Sequence, residues 1–286
     1  MHQSSSIPIR FPVSSWTASE TATQGGVVLR AGPAEQPKTA AQNMLLMVET
    51  VPEPVSLFGK LIAQLRSAYG RPKPPKSDPF ELILWGNVAY LLSDERREAA
   101  FEALRERVGL TPKQILAAPG ATLLKIAKMG GMRPEVRVER LRTIARITLD
   151  KFQGDLRKAL KLPLKDAKKA LRLYPNIGEP GAEKILLFSK SYAVLGLDSN
   201  GLRVLHRIGY GQECKNYSAT YHSVEEAVAG EIGHACGPLI QANQLLRRHG
   251  QERCKLNAPL CRICPVTDLC AYYKGGSIQL VTRVPT

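Results

Sequence analysis

Apolar residues recur at helical spacing along most of this chain. In residues 56–69, Leu57, Leu61, Ile62 and Leu65 fall on one face. Residues 71–77 form a loop of Pro and Lys. Asp78 then reads as a helix cap, with Pro79 at the first helical position, where no N–H is needed, and the pattern runs to about residue 92. Asp94 is expected to cap the next helix, with Phe101 and Leu104 inward. Thr111-Pro112 opens a short helix ending near Pro119-Gly120. Helical stretches follow over 121–129, 134–152, 165–173, 180–191, 200–206, 224–236 and 238–248. No segment alternates long enough for a strand, and no internal repeat is visible. The expected fold class is all-α.

Residues 1–43 break the pattern. They are rich in Ser, Thr, Pro, Gly and Ala and carry three basic and two acidic residues, which predicts a flexible tail. An organelle transit peptide is the alternative, and Glu20 and Glu35 count against it. Residues 275–286 read as a second tail. The whole chain has 40 Lys+Arg against 25 Asp+Glu, a net charge of +15, so +14 of it belongs to residues beyond the first tail. A pI near 9.7 points to a polyanionic partner, nucleic acid before an anionic membrane surface. The longest nearly uncharged apolar stretch, 82–92, is about half a membrane span, and residues 1–10 lack a secretory pattern. The expectation is an unsecreted protein: cytoplasmic and nucleoid-associated in a bacterium, nuclear or organellar in a eukaryote.

Cys254, Cys261, Cys264 and Cys270 follow the spacing C-x6-C-x2-C-x5-C, while Cys214 and Cys236 read as ordinary thiols. Four thiolates can hold one metal ion or a four-iron cubane. Zinc sites usually use two tight C-x2-C knuckles, and here only Cys261 and Cys264 make one. The uneven spacing favours [4Fe-4S], with zinc as the alternative. Arg253, Lys255 and Arg262 put positive charge around these cysteines, suited to phosphates.

The run His249-Gly250, Cys254, Cys261, Cys264, Asp268-Leu269-Cys270 and Tyr272 resembles the C-terminal iron–sulfur segment of the endonuclease III family, within the helix-hairpin-helix DNA glycosylase superfamily. The resemblance extends upstream to Pro79-Phe80-Glu81-Leu82 and covers roughly residues 56–274. It implies two helical lobes: a barrel over 79–196 that carries a helix-hairpin-helix, and an iron–sulfur lobe from 56–78 with 197–274. Tyr174-Pro175-Asn176-Ile177-Gly178 stands where that family has a glycine-rich turn whose N–H groups hold a DNA phosphate. Gly178 can take a positive φ, and Asn176, at a position often glycine, is the next residue to tolerate one. Asn176, Ile177, Gly178, Lys255 and Arg203 are the expected DNA contacts. Arg203 and Arg207 have internal pairing as the alternative. The basic run 151–172, with eight Lys/Arg and two Asp, lies directly before the turn.

Asp198 matches the family's catalytic aspartate, although a helix N-cap is the usual role for Asp at such a place. A carboxylate there stabilises the oxocarbenium character that C1′ gains as a flipped base departs, and helps position or deprotonate water. Three positions depart from the family. Pro180 replaces the lysine that bifunctional members use to form a Schiff base, and Lys184, one turn on, is expected to point elsewhere. Little or no strand cleavage follows from that reading. Leu91, with Tyr90 beside it, replaces a gap-filling glutamine, and an apolar wedge can still stack. Asn87 replaces the catalytic glutamate of adenine glycosylases. It can offer its amide to a base edge, or it can be a satisfied polar residue between helices. The expected activity is monofunctional excision of a damaged or mismatched base from double-stranded DNA by a monomer. The alternatives are a DNA-binding protein that has lost the chemistry and, on the cluster alone, a redox protein.

Overall fold

In a computed structural model, residues 56–73, 76–89 and 92–275 can be described, and every regular element among them is a helix. The elements are α1 (Leu57–Tyr69), α2 (Pro79–Val88), α3 (Asp94–Arg107), α4 (Pro112–Ala117), α5 (Gly120–Met129), α6 (Pro134–Phe152), α7 (Arg157–Leu160), α8 (Leu164–Leu171), α9 (Glu179–Phe188), α10 (Ser199–Ile208), α11 (Tyr217–Val228), α12 (Cys236–Glu252), a 3-10 turn (Cys261–Ile263) and α13 (Ala271–Lys274). The all-α expectation holds. Both expected tails, apart from Gly275, lie outside the described residues. No helix among those described is long and apolar enough to cross a membrane.

Local chemistry sets most boundaries. The Asp78 carboxylate accepts from the N–H groups of Phe80 and Glu81 with Pro79 in the first turn, as its position implied. Thr111 and Gln114 close a reciprocal capping box on α4. Other boundaries differ from expectation. α2 stops at Val88 rather than near residue 92, where Ala89 leaves helical geometry at φ −144°. Ser93, not Asp94, caps α3, which frees the Asp94 carboxylate for longer-range pairing. α11 starts after Asn216, whose side chain accepts from Ala219 N–H, and it ends at Val228 before two glycines. The short helix α7 has no apolar period and was not anticipated.

Two apolar clusters form. One gathers Ile83, Leu84, Phe101, Leu104, Leu141, Ile144 and Leu186 from α2, α3, α6 and α9. The other gathers Leu61, Leu65, Leu205, Tyr221, Leu245 and Leu246 from α1, α10, α11 and α12. Burying each large aliphatic side chain stabilises by about 1.5–3 kcal/mol. α9 serves both clusters, giving Ala182, Ile185 and Leu186 to the first and Leu187 and Phe188 to the second.

A polar network holds α9 against α8 and α11. Glu183 is 1% exposed and is paired with Lys168. The Tyr221 hydroxyl donates to Glu183, and Lys168 also reaches Glu179 at 3.5 Å. His222 lies between Glu179 at 3.3 Å and Glu225 at 3.4 Å. Burial and the hydrogen-bonded Glu183 carboxylate push the Glu225 carboxyl up to about 8. Folded protein therefore holds this proton more tightly than unfolded chain. The associated stability is fully present below pH 4.5 and is lost as pH rises towards 8. Glu225→Gln should remove that slope, gaining on the wild type by about 1–3 kcal/mol between pH 5 and pH 8 in urea unfolding. An unchanged difference between the two proteins across this range would contradict the assignment.

Candidate nucleic-acid interface and active site

α8 and α9 are joined by a tight turn. Tyr174 is buried beneath it, stacked on Phe152 at 6.5 Å between ring centroids and hydrogen-bonded to Thr148 at 2.9 Å. Asn176 takes the left-handed conformation, φ 60°. Gly178 does not. It is an extended N-cap with φ −82°, so the positive φ of this turn falls on Asn176. No side chain caps α9, and Pro180 contributes no N–H, so the free amides at its start have no side-chain acceptor. Asn176 and Gly178 are exposed and Ile177 is half-buried. Lys161, Lys165, Lys169 and Arg172 are exposed beside the turn, whereas Lys168 is consumed by Glu183 and Arg157 pairs with Asp78 at 2.7 Å.

Asn87 is fully buried under the same turn. Its amide donates to Ile83 O at 3.0 Å and Pro175 O at 3.2 Å, and its carbonyl accepts from the Asn176 amide at 3.0 Å. This is the helix-interface placement, with both ends of the amide used inside the protein. Tyr90 and Leu91 lie outside the described residues. Beside that gap, the turn between α5 and α6 brings Gly131 against Leu92, and a Cβ on Gly130 would meet Val88 O at 2.4 Å. Met132 at this turn is 87% exposed, a feature the sequence pattern had not singled out, although paired glycines before a lone methionine mark the turn.

Asp198 caps α10. Its Oδ1 accepts from Asn200 N–H at 3.0 Å and Gly201 N–H at 2.9 Å. Its Oδ2 lies 3.0 Å from Arg247 Nε. The other edge of the same guanidinium donates to both Asp94 oxygens, at 2.5 and 3.0 Å. Burial works against ionisation of Asp94, and the Arg247 hydrogen bond and charge outweigh it, so this carboxyl is held below its ordinary range. Arg97 adds a bond to Asp94 at 3.1 Å, donates to Ala89 O and Leu92 O, and lies 4.4 Å over the Trp85 ring. Gly196, at φ 56°, lets the chain entering α10 pass directly over α9, since a Cβ there would meet Lys184 N at 2.7 Å. Asn243 fixes that passage by donating to Leu195 O and Gly196 O. Lys184 therefore shares the electrostatic field of Asp198, Asp94, Arg97 and Arg247. The expectation that it points elsewhere is corrected: residues four apart on a helix share a face, so Lys184 follows Pro180.

No family model matches the chain. It is 26% identical over 200 residues to endonuclease III of Thermotoga maritima, spanning 70% of this chain and 85% of that protein. It is 24% identical over 195 residues to endonuclease III of Sulfolobus acidocaldarius, spanning 68% and 82%. Its fold superposes on a thermostable thymine-DNA glycosylase with a TM-score of 0.61 at 18% identity, covering 77% of this chain and 97% of that one. A non-covalent endonuclease III–DNA complex gives 0.59 at 18% identity, covering 76% and 95%. The chain is thus similar in sequence to endonuclease III proteins, and its fold is that of known DNA glycosylases.

The four expected ligand cysteines, Cys254, Cys261, Cys264 and Cys270, line one pocket beside α10 and α12 that Cys214 and Cys236 do not line. No three candidate ligands among the described residues are close enough for a single metal ion. Burial, with the neighbouring cysteines, pushes the Cys261, Cys264 and Cys270 thiols up. His249, given no role by the sequence pattern, is 1% exposed, bonded to the Tyr69 hydroxyl at 2.8 Å and 3.6 Å from the Cys264 sulfur. Burial holds its imidazole down to about 4. Arg203 is used internally, donating to Cys254 O at 2.8 Å, Gly250 O at 2.8 Å and Asn200. Arg207 donates to Lys255 O at 2.8 Å and to the Cys254 sulfur at 3.4 Å, and lies over Tyr272. The Lys255 side chain stays exposed on the loop these arginines hold.

Asn87→Ala should cost about 1–3 kcal/mol by orphaning Pro175 O and the Asn176 amide. A melting point lowered by about 2–9 °C is the expected reading, and an unchanged one would show that the clamp carries no weight.

Proposed function

We propose that this chain is a base-excision DNA glycosylase acting as a monomer on double-stranded DNA that contains a damaged or mismatched base. The observation that carries the proposal is Asp198. It stands at the head of α10, locked by two backbone amides and Arg247, on the chain segment that crosses the hairpin helix α9. A carboxylate held this rigidly stabilises positive charge at C1′ without reorganising as the base departs, and its exposed edge orients the attacking water. The uncapped start of α9 takes a backbone phosphate on its free amides, helped by the helix dipole. Lys161, Lys165, Lys169, Arg172 and Lys255 supply the surrounding charge, and exposed Met132, next to the glycine that packs on Leu92, supplies an apolar wedge. Arg203 acts on DNA indirectly, by holding the loop that presents Lys255. The two apolar clusters support a barrel lobe over 79–196 and a second lobe from 56–78 with 197–274.

The second lobe is proposed to hold a [4Fe-4S] cluster on Cys254, Cys261, Cys264 and Cys270. Four thiols lining one pocket, at the uneven spacing of the sequence, fit such a group. A cluster there would tie the loop that starts at Cys254, which Arg203 and Arg207 of α10 hold, to Cys270 at the start of α13.

Asp198→Asn should lower single-turnover excision at least about 100-fold on whichever member of a panel of uracil, thymine-mismatch, oxidised, alkylated and adenine-mismatch duplexes the wild type cleaves. Full-rate excision by the variant would remove Asp198 from the mechanism. Tight binding with no excision by the wild type would favour a recognition protein without chemistry. Purified protein should contain about four irons and four sulfides per chain with a broad visible absorption band. One zinc per chain would refute the cluster.

A further inference from the structure

An ionised carboxylate offers about four acceptor positions. At the head of α10, two of those on Asp198 are filled at Oδ1, by the N–H groups of Asn200 and Gly201. Oδ2 faces Arg247 Nε at 3.0 Å, and no other hydrogen bond or ion pair reaches it among the described residues. An arginine beside a carboxylate commonly pairs with it through two of its N–H groups. Arg247 does not do so with Asp198. Its Nη1 and Nη2 are turned onto the two oxygens of Asp94, at 2.5 and 3.0 Å. Asp94 is itself fixed. Arg97 Nη1 donates to its Oδ1 at 3.1 Å, and it lies in the first turn of α3, where the helix start favours negative charge. The Asp198 side chain is 28% exposed, so water reaches the carboxylate that this arrangement leaves incompletely filled.

We infer that Asp94 is a positioning residue for base excision: by holding the forked end of Arg247, it keeps an acceptor position of Asp198 Oδ2 free for the attacking water. The inference rests on the glycosylase reading, in which Asp198 faces C1′. Asp94 touches neither the sugar nor the water, and its effect passes through Arg247. With the fork held on Asp94, the guanidinium steadies Asp198 through one edge without enclosing it. Released by Asp94, the fork would turn onto Asp198. It would then fill the acceptor position that water needs and draw the carboxylate's charge away from the developing cation at C1′. Asp94 and Arg247 are thus a matched pair, and the loss of the acid alone is more harmful to the chemistry than the loss of both.

The test is a double-mutant cycle on the intact holoprotein. It is read by single-turnover base release from whichever of the uracil, thymine-mismatch, oxidised, alkylated and adenine-mismatch duplexes the wild type cleaves, with binding measured in parallel. Asp94→Asn keeps the side chain's size but gives up the charge that holds the fork. It should slow base release at least about tenfold while binding the same duplex within about threefold of the wild type. In Asp94→Asn with Arg247→Met, no fork can fall on Asp198, and base release should recover at least about threefold over Asp94→Asn alone. A purely structural role for Asp94 predicts the opposite, a double variant as slow as the single one or slower. A crystal structure of Asp94→Asn should show an Arg247 Nη atom within about 3 Å of an Asp198 oxygen, and it decides the matter if the double variant does not fold. Full-rate release by Asp94→Asn, a folded double variant no faster than the single one, or a fork still directed at residue 94 would overturn the inference and leave the glycosylase reading standing. No base release by the wild type from any of these duplexes would overturn both.

Discussion

One guanidinium organises the centre of this molecule. Arg247 projects from α12 and is divided between Asp198, at the head of α10, and Asp94, in the first turn of α3. Both carboxylates sit where helix N-termini already favour negative charge, and Arg247 compensates what remains. Removing it would leave Asp198 without its ion-pair partner and Asp94 with Arg97 alone, a costly state for partly buried groups. The chain continues from Asp94 through Arg97 to the carbonyls of Ala89 and Leu92, so one ionic path runs from the proposed catalytic carboxylate to both sides of the Tyr90–Leu91 segment.

α9 is the mechanical counterpart of that path. Its start is left uncapped at an exposed turn, its middle carries Lys184 beneath the chain entering α10, and its end is buried among α1, α10 and α12. Beneath it, the Lys168–Glu183–Tyr221 network fixes its rotation. On the proposed reading, a phosphate gripped at one end of α9 and a sugar attacked beside its middle are held in one rigid frame. Asn87 ties that frame to α2.

Much of this was legible in the chain because the signals are local. Helical periodicity, Asp–Pro and Thr–Pro start signals and the spacing of four cysteines need no tertiary information. Asn176 was readable as the left-handed residue because asparagine tolerates that conformation, whereas Gly178 stays extended because glycine permits a positive φ without requiring one. What was not legible depends on distant partners. Nothing around residue 247 distinguishes an arginine that bridges two acids from a solvated one. Arg203 looks like a DNA contact until the carbonyls of Gly250 and Cys254 are placed beside it. Nor does local sequence tell that His249 is sealed beside Cys264 while Met132 is open to solvent. Lys184 was misjudged through a misapplied local rule: Pro180 and Lys184 are four apart and share a face.

The account places DNA chemistry between α9 and the head of α10, and the most direct measurement is a crystal structure of Asp198→Asn bound to a duplex carrying an abasic-site analogue. The expected result is a backbone phosphate on the amides at the start of α9, with the analogue's C1′ within about 4 Å of the residue 198 side chain. A duplex seated on another face, or a sugar about 10 Å or more from residue 198 with the hairpin engaged, would contradict it.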